Sequence, residues 1–203
     1  MITPTYKKLL LASTNPGKLR EISKLLGKDF KVISLSDIFE KIPDYEESGM
    51  TFKDNAEGKA LFYNKITGIP TIADDSGLSV ASLNGAPGVL SARWAGENAL
   101  DEDRINKLLR EMDKVPDGKR QAQFICCAAF ANEGAIKKTV TGNVDGMILF
   151  QPKGTSGFGY DPVFYYSPLK KTFAEMKTAE KNEHSHRGIA FRELADYINK
   201  KYI

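Results

Sequence analysis

The sequence predicts a mixed α/β fold built on one central sheet. Short apolar runs alternate with amphipathic helical segments over the first half of the chain, as they do in α/β proteins. In the second half, Asn132-Glu133-Gly134 turns the chain between a long strand-like segment and a returning one, which predicts an antiparallel hairpin. A hydrophobic fraction of 41% among 203 residues is that of an ordinary globular protein, so we expect one domain over residues 1–203.

The elements of the first half follow from apolar spacing and from capping residues. Asn15 is a suitable N-cap with Pro16 in the first helical position, and Gly27 ends that helix. Residues 74–77, Asp-Asp-Ser-Gly, have the composition of a turn, so we expect a strand to end at Ala73. The predictions are strands over residues 7–12, 30–35 and 69–73, helices over 16–26 and 51–66, and a loop over 42–50.

The second half reads as extended segments, one helix, a glycine-rich loop and a final helix. We expect an extended segment over 78–83, a turn over 85–88, a helix over 100–112, strands over 121–131 and 135–144, and a loop over 154–159. The last helix begins near Gly188. The spacing of its apolar residues predicts that four of them face the core: Ile189, Leu194, Ala195 and Ile198.

Bulk properties exclude several classes of protein. A net charge of +3 is too small to indicate a nucleic-acid surface. Cys126 and Cys127 are neighbours in an apolar run, which favours reduced thiols in the core of a cytosolic protein. No segment resembles a signal peptide or reaches the length of a membrane span. We therefore expect a cytoplasmic protein with no nucleic-acid or membrane partner.

The predicted turn between the first strand and the first helix, residues 13–18, is a candidate phosphate site. Backbone N–H groups and the positive end of a helix dipole meet at such a turn. Ser13, Thr14, Asn15 and Lys18 surround that point with hydroxyl groups, an amide and a cation. The glycine spacing differs from that of a Walker loop, and an ordinary capped helix is the alternative.

Asp74 and Asp75 form a second candidate site. They directly follow an apolar strand, and burying an unpaired carboxylate is costly, so a turn, an ion pair or a metal ion must hold them there. Glu46, Glu47 and Lys59 add further charges. Acids in a loop and a lysine on a helix are usually solvated, so these three residues carry little weight alone.

A third candidate site lies near the C-terminus. Glycines flank Phe158 and Tyr160, whose rings can stack on a flat ligand, and Asp161 offers an acceptor. Lys181 and Arg187 offer donors for phosphate or for a base carbonyl. A tight turn with packed aromatic rings is the alternative. Because ligands collect at strand ends in open α/β sheets, the three candidate sites together favour a phosphate-bearing ligand.

The chain resembles the inosine triphosphate pyrophosphatase family, which hydrolyses ITP, dITP and XTP to the monophosphate and pyrophosphate. The matching motifs stand in the family's order and cover nearly the whole chain. They are residues 13–18, Glu46 to Gly49, Thr51-Phe52 with Asn55-Ala56, Ala73 to Leu78, Gly85 to Gly88, Ser91-Ala92-Arg93, Gly157 to Pro162, Lys181, and Ser185 to Gly188. The resemblance implies an elongated α/β protein of two lobes with a cleft between them, Mg²⁺ as cofactor, and a homodimer.

The resemblance also implies a role for each matching residue. Asp75 is expected to be a metal-linked general base supported by Asp74, and Glu47 is expected to bind the same Mg²⁺, with Glu46 as the alternative. Beside these two aspartates, the expected catalytic residues are Lys18 and Lys59. The expected substrate-binding residues are Ser13, Thr14, Asn15, Lys18, Ser76, Phe158, Gly159, Tyr160, Asp161, Lys181, His186 and Arg187.

We therefore expect a hydrolase that removes non-standard purine nucleoside triphosphates from the nucleotide pool, and two alternatives stay open. A related pyrophosphatase would act on modified pyrimidine triphosphates or on dUTP. A nucleotide- or RNA-binding module without turnover would use Lys18, Arg93 and Arg187 as phosphate contacts. Glu47 and Asp75 count against that module, because carboxylates repel polyphosphate unless a cation lies between them.

Overall fold

The structure, a computed structural model, describes residues 7–202. Its strands are β1 (Lys7–Leu11), β2 (Phe30–Ser34), β3 (Thr71–Val80), β4 (Gln121–Asn132), β5 (Ala135–Ile148), β6 (Phe164–Tyr166) and β7 (Lys171–Thr172). Its α-helices are α1 (Pro16–Leu26), α2 (Phe52–Thr67), α3 (Asp101–Glu111), α4 (Thr178–His184) and α5 (His186–Tyr202). Short 3-10 helices span Leu35–Asp37, Ala81–Leu83, Gly88–Arg93, Ser167–Leu169 and Phe173–Glu175.

The strands form one mixed sheet of seven strands in the order β2-β1-β3-β4-β5-β6-β7. β1 runs parallel to both β2 and β3, whereas β5 and β6, and β6 and β7, are antiparallel pairs. β4 and β5 are neighbours joined by Glu133 and Gly134, both in the left-handed region with φ of 52° and 72°. Only an antiparallel pair can be joined by so short a turn. The predicted mixed α/β fold and its hairpin are thus confirmed.

Local capping signals set the ends of α1 as predicted, and a cap that was not predicted begins α2. The Asn15 side chain accepts hydrogen bonds from the N–H groups of Gly17 and Lys18 at 2.8 and 3.1 Å, and α1 ends at Gly27 with φ of 70°. Thr51 caps α2 by accepting from the Asp54 N–H at 3.1 Å. These caps satisfy backbone groups that a helix leaves without partners at its ends.

The expected turn after Ala73 is wrong, because β3 continues through both aspartates to Val80. The turn was expected from the composition of residues 74–77, Asp-Asp-Ser-Gly, which includes the two carboxylates. They lie buried in the strand instead, since Lys18 pairs with Asp74 and Asn55 donates to Asp75. Partners that come from distant parts of the chain thus replace the solvent that a turn would have offered.

The last helix differs from its prediction in its start and in one apolar residue. α5 begins at His186, before Gly188, and Ile189 is exposed. The buried hydrophobic residues of this helix share one face: Ala190, Phe191, Leu194, Ala195 and Ile198. Ile189 lies beside that face, so its expected inward position is wrong. The short elements α4, β6 and β7 were not predicted, because so few residues carry no readable period.

The chain divides into two compact units. Within the described residues, the first unit takes in 7–75, 127–141 and 187–202, and the second takes in 76–126 and 142–186. Each has its own apolar core. Leu10, Ala60 and Ala129 belong to the first core, whereas Leu108 and Phe164 belong to the second. The expected single domain over 1–203 and the expected cleft stay predictions.

Both cysteines are buried, in keeping with their expected place in the core. Among residues 7–202, no helix combines the length and the apolar character needed to cross a membrane.

Candidate active site

A network of ion pairs lies in the first unit. The Lys18 Nζ lies 2.9 Å from the Asp74 Oδ2, and the Arg187 Nε lies 3.6 Å from the same oxygen. The Arg187 Nη1 also contacts the Glu21 Oε2 at 2.5 Å. Asp74 is fully buried, and Glu21 and Arg187 are nearly so. Two acids and two bases therefore meet with no net charge, as buried ions require.

The charges around Asp74 decide its protonation. Burial alone would raise the pKa of Asp74, but the positive charges of Lys18, Arg187 and Lys59 outweigh burial and hold this pKa well below its usual range. Asp74 is therefore an ionised carboxylate at neutral pH, and its high affinity for cations makes it an anchor for Lys18 and Arg187 rather than a proton acceptor.

Asp75 has the opposite electrostatic setting, although it is the next residue. Successive side chains of a strand point to opposite faces, and the Asp75 Oδ2 accepts a hydrogen bond from the Asn55 Nδ2 at 2.9 Å. Burial, helped by the charge of Glu47, raises the pKa of Asp75 against the opposing effects of Lys18, Asn55 and Lys59. A carboxylate with a raised pKa is a stronger base, so this environment suits a group that accepts a proton.

Glu47 and Lys59 complete this cluster of the first unit. The Lys59 Nζ contacts the Glu47 Oε1 directly, whereas Glu46 is exposed. Burial would lower the pKa of Lys59, but the charges of Glu47, Asp74 and Asp75 outweigh it and raise this pKa. Lys59 is therefore charged. Of the two glutamates named as alternatives, Glu47 is the one that lies beside the cluster.

The side chains of the turn before α1 mostly serve the turn itself. The Ser13 Oγ accepts from the Asn15 N–H at 3.2 Å, and Asn15 caps α1. Ser13 is buried, whereas Thr14 and Asn15 are exposed. The capped helix considered as an alternative is therefore present, and Lys18 adds the ion pair with Asp74. Substrate binding by Ser13, Thr14 and Asn15 stays a prediction.

In the second unit, a buried ion pair supports the loop that carries Phe158. The Asp161 Oδ2 accepts from the Lys181 Nζ at 2.5 Å and from the Phe158 N–H at 2.9 Å. The Lys181 Nζ also lies 4.8 Å from the centroid of the Phe158 ring. Gly157 has φ of 79°, and a Cβ there would lie 2.0 Å from the Asp161 Oδ2, so the loop needs glycine at this position.

Other predicted site residues of the second unit are fixed by contacts within that unit. The Tyr160 hydroxyl donates to the Ser91 carbonyl at 3.0 Å, and burial raises the pKa of Tyr160. The Gly159 N–H donates to the Asp101 Oδ2 at 2.6 Å. The His186 ring stacks on Phe124 with centroids 4.6 Å apart. Tyr160 and His186 are nearly fully buried, and their expected contacts with substrate stay predictions.

The two units divide the predicted site residues into two groups. Ser13, Thr14, Asn15, Lys18, Glu47, Lys59, Asp74, Asp75 and Arg187 belong to the first, and Ser76, Phe158, Gly159, Tyr160, Asp161, Lys181 and His186 belong to the second. Sequence reasoning did not assign a site role to Glu21, Asn55 or Asp101. One signal was readable: Glu21 and Asn55 are polar residues directly beside Ile22 and Ala56, on the buried faces of their helices.

The sequence is similar to a known protein family over nearly its whole length. A family model described as the Ham1 family matches residues 9–197. The dITP/XTP pyrophosphatase of Geobacter sulfurreducens is 47% identical over 192 residues, which cover 94% of this chain and 96% of the relative. That of Bacillus licheniformis is 45% identical, covering 96% of this chain and 99% of the relative.

Solved structures give the same result for the fold. A HAM1 protein from Coxiella burnetii superposes with a TM-score of 0.86 at 42% identity, covering 96% of this chain and 99% of that protein. The Staphylococcus aureus Ham1 protein has a TM-score of 0.86 at 39% identity, covering 96% of this chain and 100% of that protein.

Proposed function

Since the chain belongs to the Ham1 family, we propose that it hydrolyses dITP, XTP and ITP to the nucleoside monophosphate and pyrophosphate. The observation that carries the proposal is Asp75, a buried carboxylate with a raised pKa among the charges of Lys18, Lys59 and Glu47. The relatives named dITP/XTP pyrophosphatase support the substrate class. The predicted family is confirmed, and with it a hydrolase of nucleoside triphosphates.

The first unit supplies charges that suit a polyphosphate. Lys18 and Lys59 are cations, each held by a carboxylate, and both influence the pKa of Asp75. Lysine ammonium groups bind phosphate as point charges and stabilise a leaving pyrophosphate. The same cluster contains Glu47 and Asp75, whose negative charges oppose polyphosphate binding unless a further cation joins them.

Magnesium fits the donor set of this cluster. Glu47 and Asp75 offer carboxylate oxygens, which this ion prefers, and Mg²⁺ usually takes only one or two protein carboxylates beside water and phosphate. Residues 7–202 hold no group of three or more His, Cys, Asp or Glu residues that could hold a metal ion. When bound by Glu47 and Asp75, Mg²⁺ would supply positive charge to the phosphate oxygens and lower the pKa of a nearby water.

Asp75 is proposed to accept the proton of the attacking water. Its raised pKa favours proton transfer, and the amide of Asn55 fixes one of its oxygens. Attack occurs at the α-phosphorus, so that pyrophosphate leaves in line with the incoming oxygen. Lys18 and Lys59 meet the charge that develops on the leaving group. Asp74 supports this step by holding Lys18 in place.

The second unit supplies a binding group that suits a purine. Phe158 offers a ring face, and Lys181 and Asp161 offer a donor and an acceptor in one fixed pair. Hypoxanthine and xanthine carry an oxygen at C6 where adenine has an amino group. A site that donates to this oxygen leaves its donor unpaired against adenine, and such sites reject analogues by about 10⁴-fold. His186, which belongs to the same unit, is proposed to complete this recognition, and a role of Arg187 in reading the base stays a prediction.

We also propose that the protein works in the cytoplasm as a homodimer, as the family resemblance implies. The experiment that tests the function is a substrate panel with Mg²⁺, containing dITP, XTP, ITP, dATP, dGTP, dCTP, dTTP and dUTP at equal concentration. Chromatography should show that dITP, XTP and ITP are converted to monophosphate and pyrophosphate faster than the other five nucleotides. Preferred hydrolysis of dUTP, or binding without release of pyrophosphate, would contradict the proposal.

A further inference from the structure

Asn55 joins two functional segments of the first unit through one side chain. Its Nδ2 donates to the Asp75 Oδ2 at 2.9 Å, and its Oδ1 accepts from the Gly49 N–H at 2.8 Å. Asn55 stands in the first turn of α2 and is 1% exposed. Gly49 belongs to the loop that carries Glu47. One buried amide therefore touches both the proposed base and the loop that bears the proposed second carboxylate.

The partners of Asn55 fix the orientation of its amide. A backbone N–H only donates and an ionised carboxylate only accepts, so the oxygen of the amide must face Gly49 and the nitrogen must face Asp75. A flipped amide would place two donors together on one side and two acceptors together on the other. The side chain thus has a single arrangement that satisfies both neighbours.

The backbone around Asn55 is built to hold this arrangement. A Cβ on Gly49 would lie 2.6 Å from the Asn55 Oδ1 and 2.8 Å from the Asp54 Cβ, so only glycine allows the loop to approach. The Asn55 N–H donates to the Thr51 carbonyl at 3.2 Å, and Thr51 caps α2. Helix, cap and loop therefore leave the amide little freedom.

We propose that Asn55 is a positioning residue. It sets the rotation of the Asp75 carboxylate and holds that carboxylate in a fixed position relative to the loop that carries Glu47. The inference rests on the proposed function, because it gives Asn55 its role through Asp75. With its Oδ2 held by the amide, the Asp75 carboxylate keeps one orientation toward the water and the cation. Without the amide, the carboxylate rotates and the loop loses its anchor, so both proposed ligands lose their common geometry.

Asn64 offers a matched control on the same helix. It is 2% exposed, its Nδ2 donates to the Ile69 carbonyl at 2.8 Å, and its Oδ1 accepts from the Gly134 N–H at 2.9 Å. Asn64 therefore makes the same pair of hydrogen bonds as Asn55, except that a backbone carbonyl replaces the carboxylate. Asn64→Ala and Asn55→Ala should both lower the free energy of unfolding, because each leaves two buried groups without partners.

The test compares kcat and KM for dITP in the two alanine variants. Asn55→Ala should lower kcat by about 10–100-fold relative to Asn64→Ala, the usual cost of removing a group that orients a metal ligand. KM should change little, because Lys18 and the aromatic loop remain. Equal kcat in the two variants would overturn the proposal. Should Asn55→Ala fail to fold, Asn55→Asp keeps the acceptor for Gly49 and loses the donor to Asp75, and a wild-type kcat in that variant would overturn the proposal.

A second readout separates this proposal from the proposed function. Titration with Mn²⁺ followed by electron paramagnetic resonance measures ion binding without turnover. Asn55→Ala should bind Mn²⁺ about 10-fold more weakly than Asn64→Ala. If the wild-type protein does not hydrolyse dITP, the proposed function fails, and this affinity difference alone still decides the role of Asn55. Equal affinities in the two variants would overturn that role even if dITP is hydrolysed.

Discussion

Asp74 and Asp75 are neighbours on β3 whose carboxylates have opposite environments. Asp74 contacts Lys18 at 2.9 Å and its pKa is held low, whereas Asp75 accepts an amide hydrogen bond and its pKa is raised. The strand separates the two, because adjacent side chains point to opposite faces. One carboxylate therefore anchors cations permanently, and the other is suited to accept a proton.

Asp75→Asn should lower kcat for dITP by about 10²–10⁴-fold, because the amide cannot accept the proton of water. The variant should be at least as stable as the wild type at pH 7, since the raised pKa of Asp75 means that its buried charge opposes folding there. Steady-state kinetics and urea denaturation measure the two effects. Near-normal turnover would contradict the role of Asp75 as a base.

Asp74→Asn should instead lower the free energy of unfolding by about 3–5 kcal/mol at pH 7, because Lys18 and Arg187 lose a buried counter-ion. The lowered pKa of Asp74 also predicts a pH dependence. A depressed pKa in the folded state stabilises the protein above the unfolded value of about 4, and this stability is lost as pH falls below it. Urea denaturation at pH 7 and near pH 3 measures how much the free energy of unfolding falls between these two pH values. This decrease should be smaller in Asp74→Asn than in the wild type. Equal losses would contradict this assignment.

Arg120 is expected to stabilise the second unit without touching catalysis. Its guanidinium is buried and donates to the carbonyls of Met112, Val115, Ile148 and Leu149 at 2.8–3.2 Å. Arg120→Met should therefore lower the free energy of unfolding by about 2–4 kcal/mol, with kcat unchanged. Lys119→Met is the control, because Lys119 is exposed and should be nearly neutral. Equal stability of the two variants in urea would argue against a structural role for Arg120.

Arg187→Ala should narrow the preference for dITP over dATP if the guanidinium reads the purine base. The contacts with Glu21 and Asp74 predict that the variant is also less stable. Glu21→Gln is a useful comparison, because it weakens the same network and keeps the guanidinium. The ratio of kcat/KM for the two nucleotides measures base reading. If the ratio stays unchanged in Arg187→Ala, this residue does not read the base, and its role is limited to the ion pair with Asp74.

Removal of divalent ions should abolish turnover. Glu47 and Asp75 repel polyphosphate unless a cation lies between them, so EDTA should stop the release of pyrophosphate and added Mg²⁺ should restore it. Pyrophosphate release measured before and after dialysis checks this. Full turnover in metal-free buffer would contradict the proposed use of the two carboxylates.

Local signals made much of the fold predictable. Asn15, Pro16 and Gly27 set the ends of α1, because caps act on the nearest backbone. The length of β3 was missed for the opposite reason. Its aspartates are held by Lys18 and Asn55, which lie on α1 and α2, and the local sequence around the aspartates does not predict partners from other elements.

The candidate site was predictable only in part. Lys18, Glu47, Lys59, Asp74 and Asp75 were named from motifs, and the structure brings these residues of the first unit together. The supporting residues were not named, because Glu21 meets Arg187 and Asp101 meets Gly159 across long stretches of chain. A polar residue on a buried helix face indicates a partner, but only the structure identifies which residue that partner is.

The most direct test of the central claim follows the oxygen of the attacking water. Hydrolysis of dITP in water labelled with heavy oxygen, followed by mass spectrometry of both products, locates the phosphorus that is attacked. We expect the label in the nucleoside monophosphate, because the water that Asp75 activates attacks the α-phosphorus. Label in the pyrophosphate would contradict this mechanism.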